Sequence, residues 1–310
     1  MDKFFRAAGE IGGSRRTDVI EKDYYLHLLL LEISKDPYLR EHLVFKGGTC
    51  LVKAYSGYYR FSEDIDFTWA DQGTWSTVTP SKRNALCAKE AEEIIHHIKE
   101  ITDRAGLLFS GKKAGEDVHI SSGGKMLTLH PTYYSAVGRM RSEVKIEVNL
   151  FDLKSFPYQE RMLGTYIDGA GFETLENLHK GPYRNYTTPV ELTCYGLREI
   201  FVEKCRALMT RRTYKPRDSL DLYQMSRTVN LDVPGLKEDI ARKVGFALDV
   251  YERYIDQIDD NDLSKLRYDR RDDNLLLCEM PEDLESSIVI IHEELEKVRK
   301  ELVSKVHRER

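Results

Sequence analysis

Asp64 and Asp66 stand two residues apart in RFSEDIDF, a stretch that alternates between polar and apolar residues. On a strand, residues i and i+2 point the same way, roughly 7 Å apart. Two carboxylates on one face of an apolar strand are costly unless water or a cation compensates them. A hard divalent ion with oxygen ligands is one such cation. Asp-x-Asp alone is a common pattern, and a solvated sheet face accounts for it equally well.

A second segment, Glu143–Leu150, alternates as cleanly. Val144, Ile146 and Val148 share one face, and Lys145, Glu147 and Asn149 the other. If the two strands are neighbours in one sheet, Glu147 joins Asp64 and Asp66. The three could then hold two ions about 3.5–4 Å apart.

Upstream, Gly47-Gly48-Thr49 follows the apolar run Leu43–Phe45 and opens a short helix closed by Gly57. Backbone N–H groups at such a turn can cradle a phosphate. There is no GxxxxGK[ST] loop and no GxGxxG fingerprint.

These residues need elements to position them. Residues 16–34 read as a broadly buried helix that ends at Asp36-Pro37. Residues 80–102 keep a helical period through Ala91, Ile94, Ile98 and Ile101. Residues 127–134 read as a further strand. After Phe156-Pro157 the pattern changes, and helices are expected over 192–210, 217–229, 235–256 and 281–308. This gives two domains, 1–157 and 158–310. In the last helix, Ile291, Leu295, Val298, Leu302 and Val306 form one stripe, which reads as packing on its own domain.

The 310 residues carry 47 Lys+Arg against 52 Asp+Glu, a net charge of -5, with 41% hydrophobic residues. Wholesale disorder and a fibrous class are excluded, and the charge is not that of a protein coating nucleic acid. The five cysteines form no CxxC, against a structural zinc site or a disulfide framework. No apolar run is long enough for a signal peptide or a membrane span. A cytoplasmic protein is expected.

The segments IEKDYYLHLLL (20–30), VFKGGTCLVKAY (44–55), RFSEDIDF (60–67), VKIEVNLFD (144–152), REIFVEKCRAL (198–208) and RDSLDLYQM (217–225) occur in an order that resembles the AbiEii/AbiGii family of nucleotidyltransferase toxins. The resemblance implies an α+β, bilobed nucleotidyltransferase fold. Its N-terminal mixed sheet is flanked by helices, and its second lobe is mainly helical. It implies Gly47, Gly48 and Thr49 as the nucleotide-holding turn, with Ser62 just ahead of the carboxylates. Asp64 and Asp66 become metal ligands, and Glu147 the third carboxylate, binding metal or activating the attacking hydroxyl. Lys204 and Asp221 match the family's late lysine and aspartate. The cofactor implied is Mg²⁺, with Mn²⁺ as the substitute, and the substrate an NTP.

Lys204 falls within the apolar stripe of Leu197, Ile200, Phe201 and Leu208. It reads either as a snorkelling lysine or as a cation for nucleotide phosphates. Asp221 could orient it or a metal-bound water. Asp218, three residues earlier, reads as a first-turn charge.

Residues 192–217 hold seven basic residues against two acidic ones, with Tyr214 among them. This suits an RNA backbone and a stacked base. Some relatives modify tRNA 3′ ends, so RNA is the leading acceptor. A protein or a small molecule is the alternative, as are a phosphotransferase and a non-catalytic binding module on this fold. The resemblance also implies a separately encoded antitoxin and no membrane attachment.

Overall fold

The computed structural model describes residues 1–113, 115–169 and 171–309. The chain divides into two compact units. Met1–Asp152 and Tyr158–Tyr195 form the first, and Leu153–Pro157 with Gly196–Arg310 the second. The fold class is α+β, with a seven-stranded mixed sheet.

The first unit opens with α1 (Asp2–Gly12), α2 (Thr17–Lys35) and α3 (Pro37–His42), then β1 (Leu43–Lys46) and α4 (Gly47–Leu51). A π-helical turn, Val52–Ser56, continues α4. Next come β2 (Asp64–Trp69), α5 (Gln72–Ser76) and α6 (Pro80–Arg104). The strands β3 (Val118–Ser121), β4 (Met126–Leu129), β5 (Thr132–Tyr134), β6 (Arg141–Glu143) and β7 (Lys145–Asn149) follow. The unit closes with β8 (Tyr158–Leu163), α7 (Glu173–Leu178), α8 (Lys180–Thr187) and β9 (Val190–Tyr195).

The sheet order is β3-β4-β7-β2-β1-β9-β8. β2 runs parallel to β7, and β1 parallel to β9; the other pairings in the sheet are antiparallel. β5 and β6 form a separate ladder. Ile65, Phe67, Ile146 and Val148 point into the core, as the alternation requires.

α2 is buried on several sides and carries three polar residues inward. Glu21 accepts from Ser135 Oγ at 2.5 Å and from the main-chain N–H of Ala136 at 2.7 Å, so it caps the loop after β5. Asp23 pairs with Lys53 at 3.0 Å, both side chains being buried. Tyr58 and Tyr186 donate to the same carboxylate. His27 donates to the Thr188 carbonyl. The motif 20–30 therefore ties α2 to three distant segments.

Several elements differ from the sequence expectation. Asp36-Pro37 ends one helix and starts the next: the Asp36 carboxylate accepts from the Leu39 N–H at 3.0 Å, and Pro37 takes the first helical position. The expected strand 127–134 is interrupted at His130–Pro131, since proline cannot donate to the ladder. Of the expected helix 192–210, residues 192–195 belong to a strand, Val190–Tyr195, and the helix begins only after Gly196. A boundary at 157 was expected, whereas Tyr158–Tyr195 groups with the first unit because β8 and β9 pair within its sheet.

The described elements of the second unit are helical: α9 (Leu197–Thr210), α10 (Pro216–Val229), α11 (Lys237–Val250), α12 (Arg253–Asp260) and α13 (Leu284–Glu309), with short 3₁₀ turns. The expected helix 235–256 is broken after Val250. In α13, Ile288, Leu295 and Val298 are buried on the helices of their own unit. Arg299 donates to Glu296 and to the Ile258 carbonyl, fixing α12 on α13. Within this unit Glu199 accepts from the N–H groups of Ser155 and Phe156, and buried Lys243 pairs with Glu199 at 2.9 Å. This holds the segment Leu153–Pro157. Among the described residues, no helix is long and apolar enough to cross a membrane.

Candidate active site

The register of the sheet assembles the acidic set. Lys46 on β1 lies opposite Asp66 on β2, Asp66 opposite Glu147 on β7, and Glu147 opposite Thr128 on β4. Directly opposed residues share a face, so these four form one row across four strands. Asp64 lies opposite Lys145, one repeat further along the same face. The two acid-bearing strands are thus neighbours, and Glu147 stands beside Asp66.

The glycine turn sits against this row. Gly47 has φ +80°, in the left-handed region. A Cβ at Gly47 would lie 2.2 Å from Asp66 Oδ2, and one at Gly48 would lie 2.6 Å from an Arg60 guanidinium nitrogen. Thr49 and Ser62, both buried, have their hydroxyl oxygens 2.8 Å apart. The Thr49 hydroxyl also bonds the Asp64 carbonyl. These contacts lock the turn to the start of β2, a positioning role for two residues expected at the nucleotide.

Asp66 stands among like charges. Burial, then Glu147, then Asp64 push it up to about 6, against the opposing pull of Lys46 and Lys145. Lys145 Nζ lies 3.4 Å from Asp64 Oδ2 and 3.3 Å from Glu147 Oε2. Burial works against its charge, but Asp64 and Glu147 hold its pKa above the ordinary lysine value. Lys46 pairs with Asp152 at 3.2 Å, and the Tyr195 hydroxyl donates to the same carboxylate at 3.3 Å. Arg60, Lys145 and Asp152 all lie in motif segments, but reading the residues gave them no role. A lysine on the polar face of a strand looks like a solvated one until its neighbour strand is known.

Among the described residues, the group of three with ligand atoms within 4.8 Å of one another is Asp36, His97 and Glu100. Asp36 is the α3 N-cap there, and His97 stacks on Tyr38 with ring centroids 4.6 Å apart.

In the second unit, Lys204 is buried with its Nζ 2.7 Å from both Asp218 Oδ1 and Asp221 Oδ2. Asp221 is fully buried and pairs with Lys204. Asp218 is more than a first-turn charge. Burial tends to raise its pKa, yet Lys204 and then Arg211 hold it below the ordinary value. Much of the basic stretch is committed internally. Arg211 pairs with Asp218 and Arg206 with Glu203, and Arg198 lies over the Phe156 ring.

The family model of the nucleotidyl transferase AbiEii toxin, type IV toxin–antitoxin system, matches residues 29–295. The chain belongs to the AbiEii nucleotidyl transferase toxin family. The match spans both units and includes every residue of the acidic row, the glycine turn and the Lys204 cluster. No curated protein matches the chain. Two solved Helicobacter pylori structures are similar, each at 15% identity and over 94% of this chain. One is JHP933, with 94% of that chain covered and a TM-score of 0.45. The other is a nucleotidyltransferase candidate, with 98% covered and a TM-score of 0.43.

Proposed function

We propose that this AbiEii-family chain is a metal-dependent nucleotidyltransferase that moves an NMP from an NTP to an acceptor hydroxyl and releases pyrophosphate. The observation that carries the reading is the sheet row Lys46–Asp66–Glu147, with Asp64 one repeat on and Gly47 against Asp66. The donor set has the chemistry a divalent ion requires: hard carboxylate oxygens share a face, and burial with two acidic neighbours raises one of them to about 6, a cost that added positive charge would relieve.

Asp64, Asp66 and Glu147 would hold Mg²⁺ or Mn²⁺. When bound, the ion supplies Lewis acidity at the α-phosphate and lowers the pKa of the acceptor hydroxyl. The backbone N–H groups at Gly47–Thr49, at the start of α4, would receive the triphosphate. The acceptor oxygen forms a bond to the α-phosphorus. The bond from that phosphorus to the β-bridging oxygen breaks, and pyrophosphate leaves with the electron pair. The acceptor proton passes to a carboxylate of the set, Glu147 being the one with the longest arm. The family resemblance gives Lys204, held within the second unit by Asp218 and Asp221, the role of a cation for nucleotide phosphates.

RNA, with the tRNA 3′ end foremost, is the acceptor we favour. Its support is the family membership together with the basic stretch 198–217, where Arg212 is exposed. A separately encoded antitoxin and a cytoplasmic setting belong to the same reading.

The test is transfer of label from each of four α-³²P-NTPs to total cellular RNA, with Mg²⁺ or EDTA, beside Asp64→Ala and Asp66→Ala. Labelled RNA and pyrophosphate, both lost with EDTA and in both variants, are expected. Pyrophosphate release only on adding cell extract would move the acceptor to a protein or metabolite. Release of a nucleoside diphosphate would make the chain a phosphotransferase. Full turnover in both aspartate variants would remove the proposed site.

A further inference from the structure

Lys145 belongs to no part of the chemistry above, yet its ammonium lies between two of the three carboxylates. The position follows from the register. Lys145 is directly opposite Asp64 in the parallel pairing, and Glu147 is two residues along the same strand. All three side chains therefore stand on one face. The ammonium reaches Asp64 and Glu147 at 3.4 and 3.3 Å, and its side chain is about three-quarters buried. Lys46, the other lysine of the row, is engaged with Asp152 instead.

We propose that Lys145 is a built-in counter-cation that holds the place between Asp64 and Glu147 and must be displaced when a divalent ion joins them. The inference rests on the metal-dependent reading of the site. Mg²⁺ drawing ligand oxygens from Asp64 and Glu147 needs them at roughly 2.0–2.1 Å. The ammonium occupies the same gap and repels a doubly charged ion at that range. Lysine suits the task because its charge rides on a four-carbon flexible stem and can swing out. Arginine at this position would hold both carboxylates through a rigid fork and release them less readily. The consequence is an acidic site that stays charge-compensated before any ion arrives, at a cost in ion affinity.

A role for Lys145 in aligning the carboxylates predicts a different outcome. Without it the carboxylates would lose alignment, and ions would bind no better than before.

The experiment is a titration of the full chain with Mn²⁺, followed by the electron paramagnetic resonance signal of free Mn²⁺. Lys145→Met, Lys145→Gln, Lys145→Arg and Asp64→Ala are compared with the intact protein, with circular dichroism as a fold check. Loss of the ammonium should tighten Mn²⁺ binding about tenfold in both neutral variants. Lys145→Arg should stay within about twofold of the intact protein or bind more weakly. Lys145→Gln is the reserve where Lys145→Met does not fold. Equal or weaker Mn²⁺ binding in the folded neutral variants overturns the proposal. If Asp64→Ala still abolishes binding in that case, the metal site survives and only the role of Lys145 fails. No Mn²⁺ binding by any form would overturn the metal reading and the proposal together.

Discussion

Gly47, the first residue of α4, packs against Asp66 on β2 so closely that a methyl group on Gly47 would lie 2.2 Å from the Asp66 carboxylate. Glycine is required there twice over, by this approach and by φ +80°. Gly47→Ala should cost about 1–2 kcal/mol for the left-handed conformation alone. It should also push Asp66 out of the row with Glu147. The expected result is at least a tenfold fall in nucleotidyl transfer with a thermal midpoint only a few degrees lower. Unchanged turnover would show that the contact does not position Asp66.

Asp23 and Lys53 form a buried pair, with 2% and 0% of their side chains exposed. The Lys53 ammonium also lies 2.5 Å from the Tyr58 hydroxyl. Removing one charge strands the other, which typically costs about 3–5 kcal/mol. Asp23→Asn and Lys53→Met should each lower the urea midpoint strongly. Asp23→Asn combined with Lys53→Met should recover part of the loss, because the double variant strands no charge. Additive losses in the double variant would show that the pair is not the source of the effect.

Local pattern revealed the parts that depend on local pattern. α2, α6, α10, β1 and β7 lie where periodicity and turn residues put them, and so do the glycine turn and the acidic face. What one chain cannot display is which strands become neighbours, in which direction and in which register. Lys145 was therefore invisible as a partner of Asp64: only the parallel β2–β7 pairing brings them together. Asp218 was under-read for a related reason, since helix position alone does not show that it is buried against Lys204 and Arg211. The expected helix 192–210 takes in the last four residues of β9, although Val190, Thr193 and the Gly196 break favour a strand followed by a new start.

Lys204 is gripped by two buried carboxylates, so a structural duty and a phosphate-binding duty have to be separated. Lys204→Met should destabilise the chain by about 3 kcal/mol or more in urea, because Asp221 loses its ammonium while Asp218 keeps Arg211. Adding Asp221→Leu should restore much of the stability. If Lys204 also offsets triphosphate charge, activity in the double variant should stay at least a hundredfold down. Recovery of activity in step with stability would confine Lys204 to scaffolding.

His27 and His292 set a sign for the acid limb of stability. His27 is buried, with Nε2–H donating to Thr188 and Nδ1 without a hydrogen-bond partner. Burial, then Lys53, push its pKa down to about 3, while Asp23 pulls the other way. His292 is held at about 4, chiefly by burial, with Nε2 2.8 Å from Ser219 Oγ. Both stay neutral in the folded chain below pH 6.5, whereas in the unfolded chain they take up protons from about 6.5 downwards. The unfolded state therefore binds more protons between pH 6.5 and about 4, and stability falls as pH falls through that window. Each histidine contributes a slope of about 1.4 kcal/mol per pH unit. Asp66, with its raised pKa, works in the opposite sense below about 6, and Asp218 titrates below the window. The informative quantity is thus the difference between intact protein and variant. His27→Gln and His292→Gln, which keep a donor near the Nε2 position, should each flatten the stability–pH curve between pH 6.5 and 4.5. Urea unfolding at half-unit intervals measures it, and parallel curves for variant and intact protein would show that neither histidine is held neutral.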